Sequence, residues 1–212
     1  LSMVLSILPV SAFADAGAGL PSAAAGATNS ITYSSEKEHE DVGTNAATLN
    51  QVVKIKIDAG LPKAASGTGW SYNSGMLNIA GVANVTTEYV LDGTVRCTVL
   101  LSNASGATVH LLDGTVQGKL LISASSPSGV CVLDGSYADA DLYTGIVEGG
   151  TYKKMKQYNG QIKGGYFYDI SGLSADTQQQ AHQLTLPEGC TLNGQPVTGD
   201  VYMLKLDSEH NM

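Results

Sequence analysis

The chain has 212 residues, 43% of them apolar and 14% charged, with 25 glycines. That mixture excludes a helical bundle, where Glu, Lys and Leu would dominate, and suits strands joined by many turns. A formal charge of −8, from 11 basic and 19 acidic residues, excludes nucleic acid as a partner, because neutralising phosphates needs clustered cations.

In chain order, "LSMVLSILPVSAFADAG" reads as a signal peptide remnant over residues 1–14. Leu1 to Val10 are apolar, and Ala12-Phe13-Ala14 supplies the small-x-small cleavage pattern before Asp15. No initiator Met or basic segment precedes it, so the sequence is expected to start inside its reading frame. The run is too short for a membrane span. Its other reading is a buried N-terminal strand, but the signal reading is preferred and places the protein outside the cell. Residues 15–50 are rich in Ala, Gly, Ser, Thr and Asn and read as a flexible spacer. Within it His39 sits among Glu36, Glu38, Glu40 and Asp41. A solvated acidic patch is preferred there over a metal site, because nothing fixes ligand geometry.

"QVVKIKIDAG" (51–60) alternates apolar and polar residues as a half-buried strand does. "GTGWSYNSGMLNIAG" (67–81) keeps the same period. It predicts a hairpin with Trp70 and Tyr72 on one face, a turn at Asn73-Ser74-Gly75, and Leu77 and Ile79 returning on one face. "LDGTV" then occurs at 91–95 and 112–116, and "LDGSY" at 133–137. Ending each unit at its Gly gives two 21-residue repeats, 94–114 and 115–135, then two 15-residue repeats, 136–150 and 151–165. Such units, with short β runs broken by turn residues, are the mark of a β-solenoid whose rungs stack strand on strand.

The expected register pairs Val95 with Val116, Val99 with Leu120, Leu100 with Leu121, Leu101 with Ile122, Val109 with Val130, and Leu111 with Val132. In the short repeats it sets Asp139 against Lys154, Asp141 against Lys156, and Glu148 against Lys163, three opposite-charge pairs. Tyr137 meets Tyr152 and Tyr143 meets Tyr158. Each Asp-Gly is a corner: Asp bonds local backbone and Gly supplies positive φ. Fifteen residues is tight for three faces and three corners, so the coil is expected either to taper there or to open into a flatter sheet.

Beyond Gly172 the repeat stops. "SADTQQQAHQ" (174–183) reads as a short helix or a loop, and 184–206 as strands around an Asn-Gly turn. Residues 173–212 are therefore expected to cap the solenoid of 51–172 or to link it onward. Cys97, Cys131 and Cys190 show no CxxC or Cys/His cluster, so buried thiols are preferred over a single disulfide.

The stretch "GTGWSYNSGMLNIAG" with its Asp-Gly-punctuated rungs resembles secreted right-handed parallel β-helix domains on cell-surface proteins of Gram-positive gut bacteria, some called carbohydrate-binding domains. The resemblance covers about residues 67–170 and carries over no specific functional residue. It implies an all-β chain built as a right-handed parallel β-helix with short N- and C-terminal capping strands, and a place on the cell surface. Broader kin with this fold include pectate-lyase-like enzymes and adhesins.

Three chemistries compete. Asp92, Asp113 and Asp134 form a column that could ligate Ca²⁺, or simply face solvent as turn residues; turn residues are preferred, because Gly149 and Gly164 take over the column. A polysaccharide lyase or glycoside hydrolase needs convergent carboxylates or a strong base. Asp139, Asp141 and Glu148 are the candidates, but each already has a lysine partner. Arg96 is the sole arginine, and His110 over Cys131 looks like packing. Sugar binding needs exposed aromatics beside polar groups, and the short repeats offer Tyr137, Tyr143, Tyr152, Tyr158, Tyr166 and Tyr168. Strict alternation puts Tyr137, Asp139, Asp141 and Tyr143 on one face, but Tyr137 shares a column with Val95 and Val116, which look internal. The stripe therefore reads either as an aromatic stack inside the solenoid, the preferred reading, or as an exposed surface. The preferred reading is a non-catalytic surface module with no required cofactor, a monomeric part of a larger protein. It binds glycan on a host or cell-wall surface through Tyr137, Asp139, Asp141, Tyr143, Tyr152, Lys154 and Tyr158, or acts as an adhesin or spacer. The enzyme is the alternative.

Overall fold

The computed structural model describes residues 33–35, 51–57 and 64–205. The expected signal remnant, most of the expected spacer and the acidic patch around His39 lie outside those residues. Within the spacer, however, β1 (Tyr33–Ser35) pairs antiparallel with β2 (Gln51–Lys56), Tyr33 opposite Ile55. One edge of β2 is taken by a later strand, and β1 satisfies backbone groups on the other.

The hairpin forms as its pattern predicts. β3 (Ala64–Gly67), β4 (Trp70–Asn73) and β5 (Met76–Ile79) run antiparallel in succession. Ser74 and Gly75 have φ of 50° and 80°, the doubly left-handed turn that matches the twist of paired strands. Trp70, Leu77 and Ile79 are buried, and Tyr72 packs partly against them.

From there the pairing becomes parallel. β6 (Thr86–Val95), β7 (Thr98–Leu101), β8 (Thr108–Ser123), β9 (Val130–Val132), β10 (Ser136–Thr144), β11 (Ile146–Val147), β12 (Thr151–Gln157), β13 (Gln161–Ile162) and β14 (Gly164–Phe167) follow. All six expected aliphatic pairs are Cα partners, from Val95 with Val116 to Leu111 with Val132. Tyr137 with Tyr152, Asp139 with Lys154 and Asp141 with Lys156 are partners between β10 and β12. Alternate residues of these strands, such as Val99, Leu101, Val109, Leu111, Leu120 and Ile122, are wholly buried. Each such side chain contributes roughly 1.5–3 kcal/mol on leaving water, which is what holds one register against a slip by one residue.

The Asp-Gly corners behave in two ways. Asp113 and Asp134 each accept the next glycine's N–H at 2.7 Å, and Gly93 and Gly135 have φ of 120° and 126°. Gly114 does not lie in the left-handed region, so positive φ is not its reason for being glycine. Its Cβ would lie 2.9 Å from Leu91 Cβ, and close approach between neighbouring strands accounts for it.

The C-terminal residues cap the sheet. Helix α1 (Ala175–Gln180) starts at Ser174, whose hydroxyl accepts the Thr177 N–H. β15 (His182–Leu184) and β18 (Val201–Lys205) pair antiparallel, and β18 closes onto β14. Between them β16 (Thr191–Leu192) and β17 (Gln195–Pro196) flank the expected Asn193-Gly194 turn. Asn193 Nδ2 donates to Gly135 O at 2.8 Å, docking the turn onto the third Asp-Gly corner. Among the described residues the protein is thus all-β, with one large mixed sheet, parallel at its centre and antiparallel at both ends, and a small separate sheet of β16 and β17. Among the described residues no helix is long and apolar enough to cross a membrane.

Candidate functional site

On β10, Ala140 and Leu142 enter the core, so Asp139, Asp141 and Tyr143 project to the opposite side. On β12, Met155 enters the core and Lys154 and Lys156 project outward beside them. Tyr143, near the end of β10, and Tyr158, just past β12, are 40% and 51% exposed. Their rings stack with centroids 4.6 Å apart and planes within 5°. An offset stack of this kind is worth about 0.5–1.5 kcal/mol. Desolvation, then the neighbouring Tyr158 and Asp141, raise the Tyr143 phenol above its ordinary value.

Tyr137 and Tyr152 do not belong to this surface. They are 1% and 0% exposed and lie in the core, which corrects their reading as sugar contacts. Strict alternation carried Tyr137 onto the Tyr143 face, but the β10–β8 register shifts between Tyr137 and Asp139. Such an irregularity reverses the side on which later residues emerge. Inside, Tyr137 stacks on Tyr152 at 5.0 Å and Tyr152 on Phe167 at 5.2 Å. Each tyrosine hydroxyl donates to a backbone carbonyl, of Asp134 and Gly149 respectively. Burial raises both phenols well above their ordinary value. Phe167 escaped the sequence reading, although its offset from Tyr152 equals that of Tyr152 from Tyr137.

The charged residues also rearrange. Asp139 and Asp141 hold their expected places opposite Lys154 and Lys156, but both carboxylates turn to Lys119 on the other side. Lys119 Nζ lies 2.8 Å from Asp141 Oδ2 and 3.8 Å from Asp139 Oδ2. The hydrogen bond to Asp141 raises the Lys119 ammonium above its ordinary value. Asp141 is 5% exposed, and its Oδ1 is buried without a hydrogen-bond partner. A nearly buried carboxylate needs one close cation, and Lys119 fills that role. Sequence offsets missed Lys119 because the same register shift displaces it by one residue. The third expected pair stands, with Lys163 Nζ 3.5 Å from Glu148 Oε1. Lys154 and Lys156 remain exposed. Hydrogen bonds from Ser171 hold the Asp169 carboxyl below its usual range, with Lys154 adding to the effect.

The aspartate column loses its first member. Asp92 lies opposite Lys56 and 3.5 Å from the Lys54 ammonium, Asp113 lies opposite Val90, and Asp134 faces Asn193. Among the described residues no three His, Cys, Asp or Glu side chains gather as a metal site requires. A register shift between Tyr89 and Thr94 takes Asp92 out of step with Asp113, while Asp113 and Asp134 each accept the following glycine's N–H, as the preferred turn reading expects.

Cys97, Cys131 and Cys190 are free thiols. His110 lies opposite Cys131 as expected, but burial pushes the Cys131 thiol up to about 11. A thiol held protonated is a poor nucleophile. The His110 ring instead lies 4.0 Å from Glu88. What the structure brings together on one outer surface is therefore Tyr143, Tyr158, Lys119, Asp139, Asp141, Lys154 and Lys156. The chain matches no protein-family model, no curated protein and no solved structure.

Proposed function

We propose that the chain is a non-catalytic carbohydrate-binding module of a secreted, surface-displayed protein, with its parallel ladders forming the rungs of a right-handed parallel β-helix. The solenoid reading is supported by parallel partners at 21-residue and then 15-residue offsets, as in Val95–Val116 and Tyr137–Tyr152. The observation that carries the binding reading is the exposed, stacked Tyr143–Tyr158 pair. Solvent-exposed aromatic rings held in one orientation give pyranose C–H faces an apolar platform, and flanking charged groups fix the hydroxyls. Asp141 and Lys119 lie near the Tyr143 ring, and Asp139, Lys154 and Lys156 continue the charged face along the same strands. Asp139 and Asp141 share one lysine, and Glu148 has another. These pairings favour structural roles for the carboxylates over the acid and base of a hydrolase.

A glycan array probed with wild type and with the Tyr143→Ala/Tyr158→Ala double variant tests the reading. Retention of one glycan class by wild type and its loss in a folded double variant are expected. No binding by wild type removes the carbohydrate reading and leaves the adhesin or spacer role. Incubation with polygalacturonate and Ca²⁺ is expected to release no unsaturated products; their release would establish the lyase alternative.

A further inference from the structure

We infer that Tyr143 and Tyr158 are a site of oxidative cross-linking, at which a one-electron oxidant joins the two side chains as dityrosine. Two conditions decide whether phenols couple within a chain: access for the oxidant, and proximity of the rings. Tyr143 and Tyr158 are the exposed tyrosines among the described residues, and they are already cofacial at 4.6 Å. Holding both partners in contact replaces a bimolecular encounter with an intramolecular one. Tyr137 and Tyr152 meet the proximity condition but are shut away from any oxidant. Tyr72, Tyr166, Tyr168 and Tyr202 are only half-buried, yet no stacked ring faces them. Among the described residues the pair alone satisfies both conditions.

The chemistry balances with hydrogen peroxide as terminal oxidant and a haem peroxidase as the one-electron agent. Each phenol gives up one electron and its hydroxyl proton, leaving two phenoxyl radicals. Their ortho carbons form one C–C bond, and the two ring hydrogens at those carbons move to the oxygens, restoring two phenols. The two electrons and two protons reduce one peroxide to two waters. Such a bond would tie β10 to β12 across the 15 residues separating the tyrosines, a covalent closure that the three free cysteines do not supply. It does not depend on glycan binding, since Phe at either position keeps the stack and removes the cross-link.

The test treats dilute protein with a haem peroxidase and limiting peroxide, then maps linked peptides by mass spectrometry and follows dityrosine fluorescence. The expected product is an intrachain Tyr143–Tyr158 link two hydrogen atoms lighter than the starting chain. It should be absent in Tyr158→Phe and in Tyr143→Phe, and should raise the midpoint of thermal unfolding in wild type. Failure of this link to form, or prior reaction of other tyrosines or between chains, overturns the inference.

Discussion

Tyr137, Tyr152 and Phe167 form one column of rings, and Tyr143 and Tyr158 form another, both set by the same 15-residue offset. The inner column is wholly buried, with its hydroxyls bonded to backbone carbonyls. The outer pair stands in solvent. Repetition explains why rings stack in each case, because parallel strands place equivalent residues side by side. It does not explain which stack is core and which is surface. One irregularity between Tyr137 and Asp139 makes that choice.

The strongest way to break the comparison is Tyr152→Ala, which removes the central ring of the inner column. A loss of about 3–5 kcal/mol is expected from the cavity and the lost burial, read as a lower urea midpoint. Tyr158→Ala should leave that midpoint almost unmoved.

Alkaline titration sharpens the difference without mutation. Burial raises the folded-state values of Tyr137 and Tyr152, so their contribution is fully present below the unfolded tyrosine value of about 10. It is lost as pH rises from there toward the folded value. The inner phenols should ionise only as the fold is lost, which phenolate absorbance and circular dichroism followed together would reveal. Reversible ionisation of all tyrosines in an intact fold would contradict the buried assignment.

Lys119→Met probes the boundary between the two faces. It strands the nearly buried Asp141 carboxylate, and about 1–3 kcal/mol should be lost at neutral pH. The double variant Lys119→Met/Asp141→Leu should recover much of it, since removing both charges avoids the uncompensated burial. The smallest effect is that of Tyr158→Ala, within about 1 kcal/mol, with binding rather than stability as its readout.

Much of the pairing was legible in the residues. Val95 under Val116 and Val99 under Leu120 follow from matching apolar letters at one offset, and the Asn-Gly and Asn-Ser-Gly turns from their backbone preferences. The candidate site was only half legible. Whether the tyrosines of the short repeats were core or surface stayed open in the letters, since alternation set Tyr137 beside Tyr143 while its column set it with Val95 and Val116. The structure divides them, Tyr137 and Tyr152 inside and Tyr143 and Tyr158 outside. Lys119 was hidden, because it belongs to a 21-residue unit and meets Asp139 only through the shift.

By itself the sequence determined that the chain is β-rich, where it turns, and most of the register between repeats, because these depend on local propensity and on a period read along one dimension. The tertiary structure alone decided which ring ladder faces water, which lysine neutralises Asp141, and why Gly114 cannot carry a side chain. Those outcomes depend on how neighbouring strands bend and slip against one another. A displacement of one residue there exchanges core for surface while leaving composition, period and offset unchanged.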